Sequence, residues 1–165
     1  MNRKLMLQIA GIGWVAGMRA ASAPALVNTY LSRFFVRFLL PQPARAFSSP
    51  RLTKFLWLSA LGELIGDKLP FTPNRTDPPS LIGRTLSGAL SGVALSAARH
   101  ERREVGAVLG GLSAVVSSFV MMNLRKTIAD NSRLPDPAVA LMEDGIILAA
   151  AYNVQRQPVY RRDRD

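Results

Sequence analysis

Val105-Gly-Ala-Val-Leu-Gly-Gly-Leu-Ser-Ala-Val-Val-Ser-Ser-Phe-Val-Met-Met-Asn-Leu124 is a run of twenty residues without a charge. As a helix rising about 1.5 Å per residue it would reach about 30 Å, the thickness of a bilayer's hydrocarbon core. A soluble core helix rarely needs so long an uncharged stretch. Mean hydropathy over the 165 residues is only +0.14, so the argument rests on how apolar residues are grouped rather than on their total.

Working outward, the same grouping recurs. A first helix is expected from about Leu5 to Val27, with Arg19 its one internal charge. A second runs from about Leu52 to Leu69 and ends at Pro70, either spanning or re-entrant. A third is expected from about Leu81 to Ala98, capped by Ser80, and a fifth from beyond Pro137 to about Val154. The fold expected is therefore an all-α membrane protein of about five transmembrane or re-entrant helices. It forms one transmembrane domain over residues 1–155, followed by a basic polar tail, 156–165.

Between the first two helices, Phe34, Phe35, Phe38 and Leu39 alternate with Arg33, Arg37 and Arg45 before Pro41 and Pro43. That mixture reads as an interfacial segment, or else as an ordinary loop. Arg3 and Lys4 followed by an apolar run to Met18 superficially resemble a secretory signal. Arg19 within the small-residue region and Pro24 just after the nominal cut favour a retained helix.

The formal charge is +10, yet the basic residues fall between the apolar segments rather than on one face. Lipid headgroups are thus the expected partner, and nucleic acid is not. Alternate loops carry eight basic residues on one side and twelve on the other, which puts the C-terminus in the cytoplasm and the protein in the bacterial cytoplasmic (inner) membrane. Cysteine is absent and histidine occurs once, at His100 among loop charges. No metal, cofactor or catalytic residue is expected.

A weak internal repeat is visible. A shift of about 93 residues places Gly13 on Gly106 and Gly17 on Gly110, and a shift of about 80 places Ala60-Leu61-Gly62-Glu63 on Ala140-Leu141-Met142-Glu143. Repeat one would span 5–69 and repeat two 105–154, joined by the helix at 81–98. One helix between the copies would invert the second relative to the first, as in many secondary transporters.

Charged groups in hydrocarbon cost several kcal/mol unless they face a cavity, a partner or a pathway, roughly 2.5–3.5 for a carboxylate on insertion scales. Glu63, Asp67, Glu143 and Asp144, with Arg19 and Arg84 as counter-ions or anion holders, are the candidate ion or substrate pathway. Structural ion pairing, and snorkelling of Arg84 toward a helix end, are the plainer alternatives. An intramembrane aspartyl hydrolase built on Asp67 and Asp144 has too short a signal to support it. Gly-x-x-x-Gly occurs at Gly13/Gly17, Gly62/Gly66, Gly88/Gly92 and Gly106/Gly110, which predicts tight helix packing within the chain or between two copies. Two classes of function fit: a small transporter or channel-like protein for a cation or proton-coupled solute, and a non-transporting scaffold that binds a partner membrane protein through its glycine seams. A homodimer is one way so small a chain could enclose a pathway.

Gly13-Trp-Val-Ala-Gly17-Met-Arg19, Pro24 and Glu63-Leu-Ile-Gly-Asp67-Lys68-Leu-Pro70 resemble the bacterial membrane proteins grouped as domain of unknown function 4126, over about Ile9 to Ala151. The resemblance implies a cytoplasmic-membrane protein and no established activity. Glu63 to Lys68 more distantly resembles the Glu-x-Gly-Asp-Lys/Arg-Ser/Thr motif of calcium/manganese–proton exchangers. One residue is added and leucine replaces the hydroxyl, and Glu143-Asp144-Gly145 departs further.

Overall fold

In the computed structural model, residues 1–66 and 77–131 are described, together with Gly145 and Ala149; side chains 64–66 and 129–131 are not. The described residues are helical, without a strand: α1 Arg3–Met18, α2 Ser22–Phe34, a 3-10 turn at Arg37–Leu39, the short α3 Ala44–Phe47, α4 Pro50–Gly66, α5 Pro78–Ala98 and α6 Arg103–Asn131. Asp67, Glu143, Asp144, the fifth expected helix and the tail lie outside them.

The expected first helix is two helices. A continuous helix through residue 24 would need its N–H to bond the carbonyl of Ala20, and Pro24 has none. The chain leaves the helix at Arg19, which is extended (φ −144°, ψ 115°), and restarts at Ser22. Pro24 then falls in the first turn of α2, where its missing donor costs little.

Contacts along α5 show that α2 turns back on α1. Arg84 meets Gly17 and Met18, Gly92 meets Ile9, and the N-terminus lies 3.4 Å from Glu101, so α1 and α5 are antiparallel. Ser87 bonds Ala20 and Arg99 bonds Tyr30, so α2 follows α5 in the same direction. The pair α1–α2 is a helical hairpin. α4 runs back along α2, from Thr53 beside Asn28 to Glu63 beside Ala20 and Ala21.

This extra reversal changes the direction relation on which the repeat depended. Gly13 lies on Gly110 and Gly17 on Ala114, so α1 and α6 run parallel, whereas an inverted copy requires them opposed. It also brings the N-terminus to the same end as the 33–54 connector and the α5–α6 turn. Ten basic residues gather there: Arg3 and Lys4 open α1, five lie between Arg33 and Lys54, and Arg99, Arg102 and Arg103 surround the turn. The sequence reading had put Arg3 and Lys4 on the other side.

Among the described residues two helices are long and apolar enough to cross a membrane, Pro78–Ala98 with mean hydropathy 1.2 and Arg103–Ile128 with 2.0. At about 1.5 Å per residue α1 and α2 are near 24 and 20 Å, shorter than a full crossing. Helix α5 begins at Pro78 rather than Leu81, with Asp77 rather than Ser80 at the cap position and prolines in the first turn, where an N–H has no helical partner to lose. It ends as His100 takes φ 56°, with Glu101 N–H donating to Ser96 and His100 N–H to Ala97, a left-handed cap that leaves room for only a tight turn before α6.

The core joins α1, α2, α5 and α6 through a seam of small residues. A methyl at Gly13 would land on the Gly110 carbonyl, and one at Gly17 on that of Ala114. A methyl at Gly88 would lie 2.5 Å from the Gly110 oxygen, while Gly92 and Gly106 face each other. These six glycines let three helix backbones touch. Gly62 has nothing within 4 Å of where its side chain would begin. It does not pack a helix among the described residues, and the surroundings of Gly66 are not described.

Outward and inward faces of α6 are the reverse of a soluble helix. Gly106, Gly110, Ala114, Ser117 and Ser118 are buried, while Val108, Leu112, Val116, Phe119 and Val120 are exposed. Helix α5 repeats this, burying Arg84, Ser91 and Ser96 and exposing Ile82, Leu86 and Leu90.

Candidate functional site

The α1–α2 reversal leaves the last carbonyls of one helix and the first amides of another without helical partners. Side chains from three other helices serve the carbonyls at the end of α1 and the amides of the reversal between the two helices. Glu63 of α4 accepts from Ala20 N–H and Ala21 N–H through separate carboxylate oxygens, each at 2.8 Å. These are the amides of the reversal itself, just ahead of α2, whose N-cap Ala21 has no side-chain cap, so the carboxylate lies near the positive end of that helix.

Arg84 of α5 serves the opposite sign of end. Its Nη1 donates to the carbonyls of Gly17 at 2.8 Å and Met18 at 2.6 Å, and its Nε donates to Ser80 at 3.2 Å. Its Nη2 lies 3.8 Å from Glu63, an ion pair at the edge of direct contact. Arg84 is 4% exposed, so it points into the bundle instead of snorkelling outward.

Hydroxyls complete the arrangement. Ser118 donates to Gly17 at 3.2 Å, Ser117 to Trp14 at 2.8 Å, and Ser87 to Ala20. The Ala20 carbonyl is the one that Pro24 cannot serve, so the proline's missing bond is replaced across the bundle. Arg19, buried at the reversal, donates its backbone N–H to Val15 at 2.8 Å.

Counting along α5, the cluster lies about 20 Å from the basic end of the helix and about 9 Å from Pro78. Of the six candidate pathway residues, Glu63, Arg84 and Arg19 thus converge on one interrupted stretch of backbone. As a carboxylate, Glu63 has both oxygens occupied by amides and a guanidinium beside it. It does not present a free oxygen pair to a cation. The chemistry available is binding and release at helix ends, with no nucleophile and base in hydrogen-bond contact among the described residues.

Sequence reasoning found the charges and missed the reversal they hold. Pro24 was the available signal, since proline inside a helical pattern stops or kinks it near the preceding residues. Ser87, Ser117 and Ser118 carried no signal of their own, because serine in apolar helices usually bonds its own backbone.

Among the described residues, the fold and the cluster define an all-helical arrangement organised around a reversed helix pair, with two helices long and apolar enough to cross a membrane. The chain belongs to the family described as Domain of unknown function (DUF4126), which matches residues 6–160. No curated protein and no solved structure matches it.

Proposed function

We propose that this chain is a multi-pass protein of the cytoplasmic membrane that moves a solute coupled to protons, with the α1–α2 reversal as its moving part and Glu63 as the carboxylate that holds it. The observation that carries the membrane reading is the reversed burial of α5 and α6. The exposed Ile82, Leu86, Leu90, Val108, Leu112 and Val116 make an apolar outer surface that lipid would cover at no cost.

The transport reading is supported by interrupted helices tied to titratable side chains, since paired helix ends inside a bundle are the places where transporters bind and release. Glu63 and Arg84 hold the reversal, one at its amides and the other at the carbonyls of Gly17 and Met18. The acids at Glu143 and Asp144 remain candidates for a second station. The protein acts without covalent chemistry on its solute. The scaffold alternative loses support because Gly13, Gly17, Gly88, Gly92, Gly106 and Gly110 are consumed inside the chain.

The basic end faces the cytoplasm under the positive-inside rule. With α1 and α2 forming a hairpin, the N-terminus lies on that side. A returning helix over 137–154 would bring the basic tail there too, giving both termini a cytoplasmic location.

Proton movement is the direct test. Purified protein in vesicles carrying a trapped pH-sensitive dye should dissipate an imposed pH gradient when a panel of solutes is offered, and Glu63→Gln should abolish the solute-dependent part. A Glu63→Gln protein that is folded and shows unchanged solute-dependent flux would remove Glu63 from the mechanism.

A further inference from the structure

The 33–54 connector is built as a fixed ledge. Leu40 and Ala44 are buried in the core, and Asn28 donates to the carbonyls of Phe47 and Ser49. Arg45 donates to the carbonyls of Phe38 at 2.6 Å and Leu40 at 3.2 Å, closing the turn. Tyr30, Phe34 and Phe35 pack as an aromatic group beneath it, with ring centroids 5.2 and 6.0 Å from Tyr30. The loop is therefore held in shape from inside.

Its outer side presents what such anchoring would otherwise hide. Phe38 and Leu39 are 82% and 78% exposed at the tip, with Arg33 and Arg37 exposed beside them and Arg51 and Lys54 exposed on the first turns of α4. No acidic residue occurs between Arg33 and Lys54. An aromatic and an aliphatic side chain at the tip of an all-basic ledge match the boundary of an anionic leaflet, where apolar groups enter the acyl region and cations bind phosphates. A soluble polyanion would satisfy the charges and leave Phe38 and Leu39 in water.

We infer that this ledge binds anionic phospholipid headgroups of the cytoplasmic leaflet, with Phe38 and Leu39 inserted at the acyl boundary and Arg33, Arg37, Arg51 and Lys54 on the phosphates. The inference rests on the membrane reading above and assigns a lipid class to one surface of it. Arg3 and Lys4 at the start of α1, and Arg102 and Arg103 at the start of α6, extend the same field across the end of the bundle. Negative lipid would then be gathered around the connector even in a mixed membrane. Each cation near such a surface contributes about fivefold to binding.

The absence of cysteine makes the test specific, because one introduced thiol is the sole labelling site. Full-length Phe38→Cys, carrying an environment-sensitive dye, is reconstituted in phosphatidylcholine vesicles with increasing phosphatidylglycerol. A parallel Val116→Cys protein reports the outer face of α6. Dye at position 38 should shift to the blue and be quenched by shallow spin-labelled lipid as phosphatidylglycerol is added. Adding Arg33→Gln and Arg37→Gln should raise the phosphatidylglycerol fraction needed by more than tenfold, or abolish the response. Dye at position 116 should be quenched by deep spin-labelled lipid in every vesicle. If position 116 is quenched and position 38 ignores phosphatidylglycerol, the lipid assignment is wrong while the membrane reading survives. If position 116 is never quenched, the membrane reading itself fails. An equal response of position 38 to soluble polyphosphate would make the ledge a general anion surface and overturn the inference.

Discussion

Replacing Glu63 by alanine removes both acceptors from the start of α2, and the size of the loss can be worked from the bonds it breaks. Each is a 2.8 Å bond from a backbone amide to a carboxylate oxygen, with the side chain 18% exposed. Bonds to charged groups contribute roughly 1.5–3 kcal/mol each, so Glu63→Ala should cost about 3–6 kcal/mol. Glutamine keeps one acceptor and turns an amide donor toward an amide donor, so Glu63→Gln should cost about half as much. The ion pair adds little, because Arg84 keeps Gly17, Met18 and Ser80 when Glu63 is gone. A double-mutant cycle between Glu63→Gln and Arg84→Gln should therefore give a coupling energy of no more than about 1 kcal/mol, as expected for a pair 3.8 Å apart. Reversible unfolding in mixed micelles measures the parent and the four variants. A Glu63→Ala protein within about 0.5 kcal/mol of the parent would show that the amides find other partners and that the carboxylate does not hold the reversal.

Two neighbouring glycines should respond with opposite sign in the same assay. Gly110→Ala drives a methyl onto the Gly88 backbone and should cost about 1–3 kcal/mol, while Gly111→Ala finds its nearest neighbours at 3.6 Å and should be neutral or gain up to about 1 kcal/mol in helix propensity. Asn28→Ala removes the buried side chain that ties α2 to Phe47, Ser49 and Thr53, so it should cost about 1–3 kcal/mol and expose the 44–50 backbone to protease before global unfolding.

Helices α5 and α6 could be read from the chain because each carries a long apolar stretch, uncharged over Val105 to Leu124 in α6 and broken only by Arg84 in α5. Their glycine pairs were equally legible, since a four-residue spacing places both on one face and the seam uses that face. Gly62 has the same spacing to Gly66 and meets none of the described residues, because spacing defines a face without saying what lies opposite. The reversal at 19–21 escaped because Ala20-Ala21-Ser22-Ala23 suits a helix by propensity, and the bonds that stabilise a break there come from residues 42 to 101 positions away. From that one omission followed the wrong side for the N-terminus and the opposed direction given to α1 and α6. Glu63 and Arg84 were recognisable as costly charges. That they serve backbone ends more than each other could not be seen without the helices that supply those ends.

The hairpin also constrains how the polypeptide can be assembled. Ala20 and Ala21 leave the ribosome with bare amides, and Glu63 is made more than forty residues later; the guanidinium for Gly17 and Met18 follows after a further twenty. Neither limb is long enough to cross a bilayer on its own. On the proposed membrane reading, the bare backbone of the reversal gains its side-chain partners only once α4 and α5 have been made, so stable burial of the amino-terminal half would follow synthesis of α5.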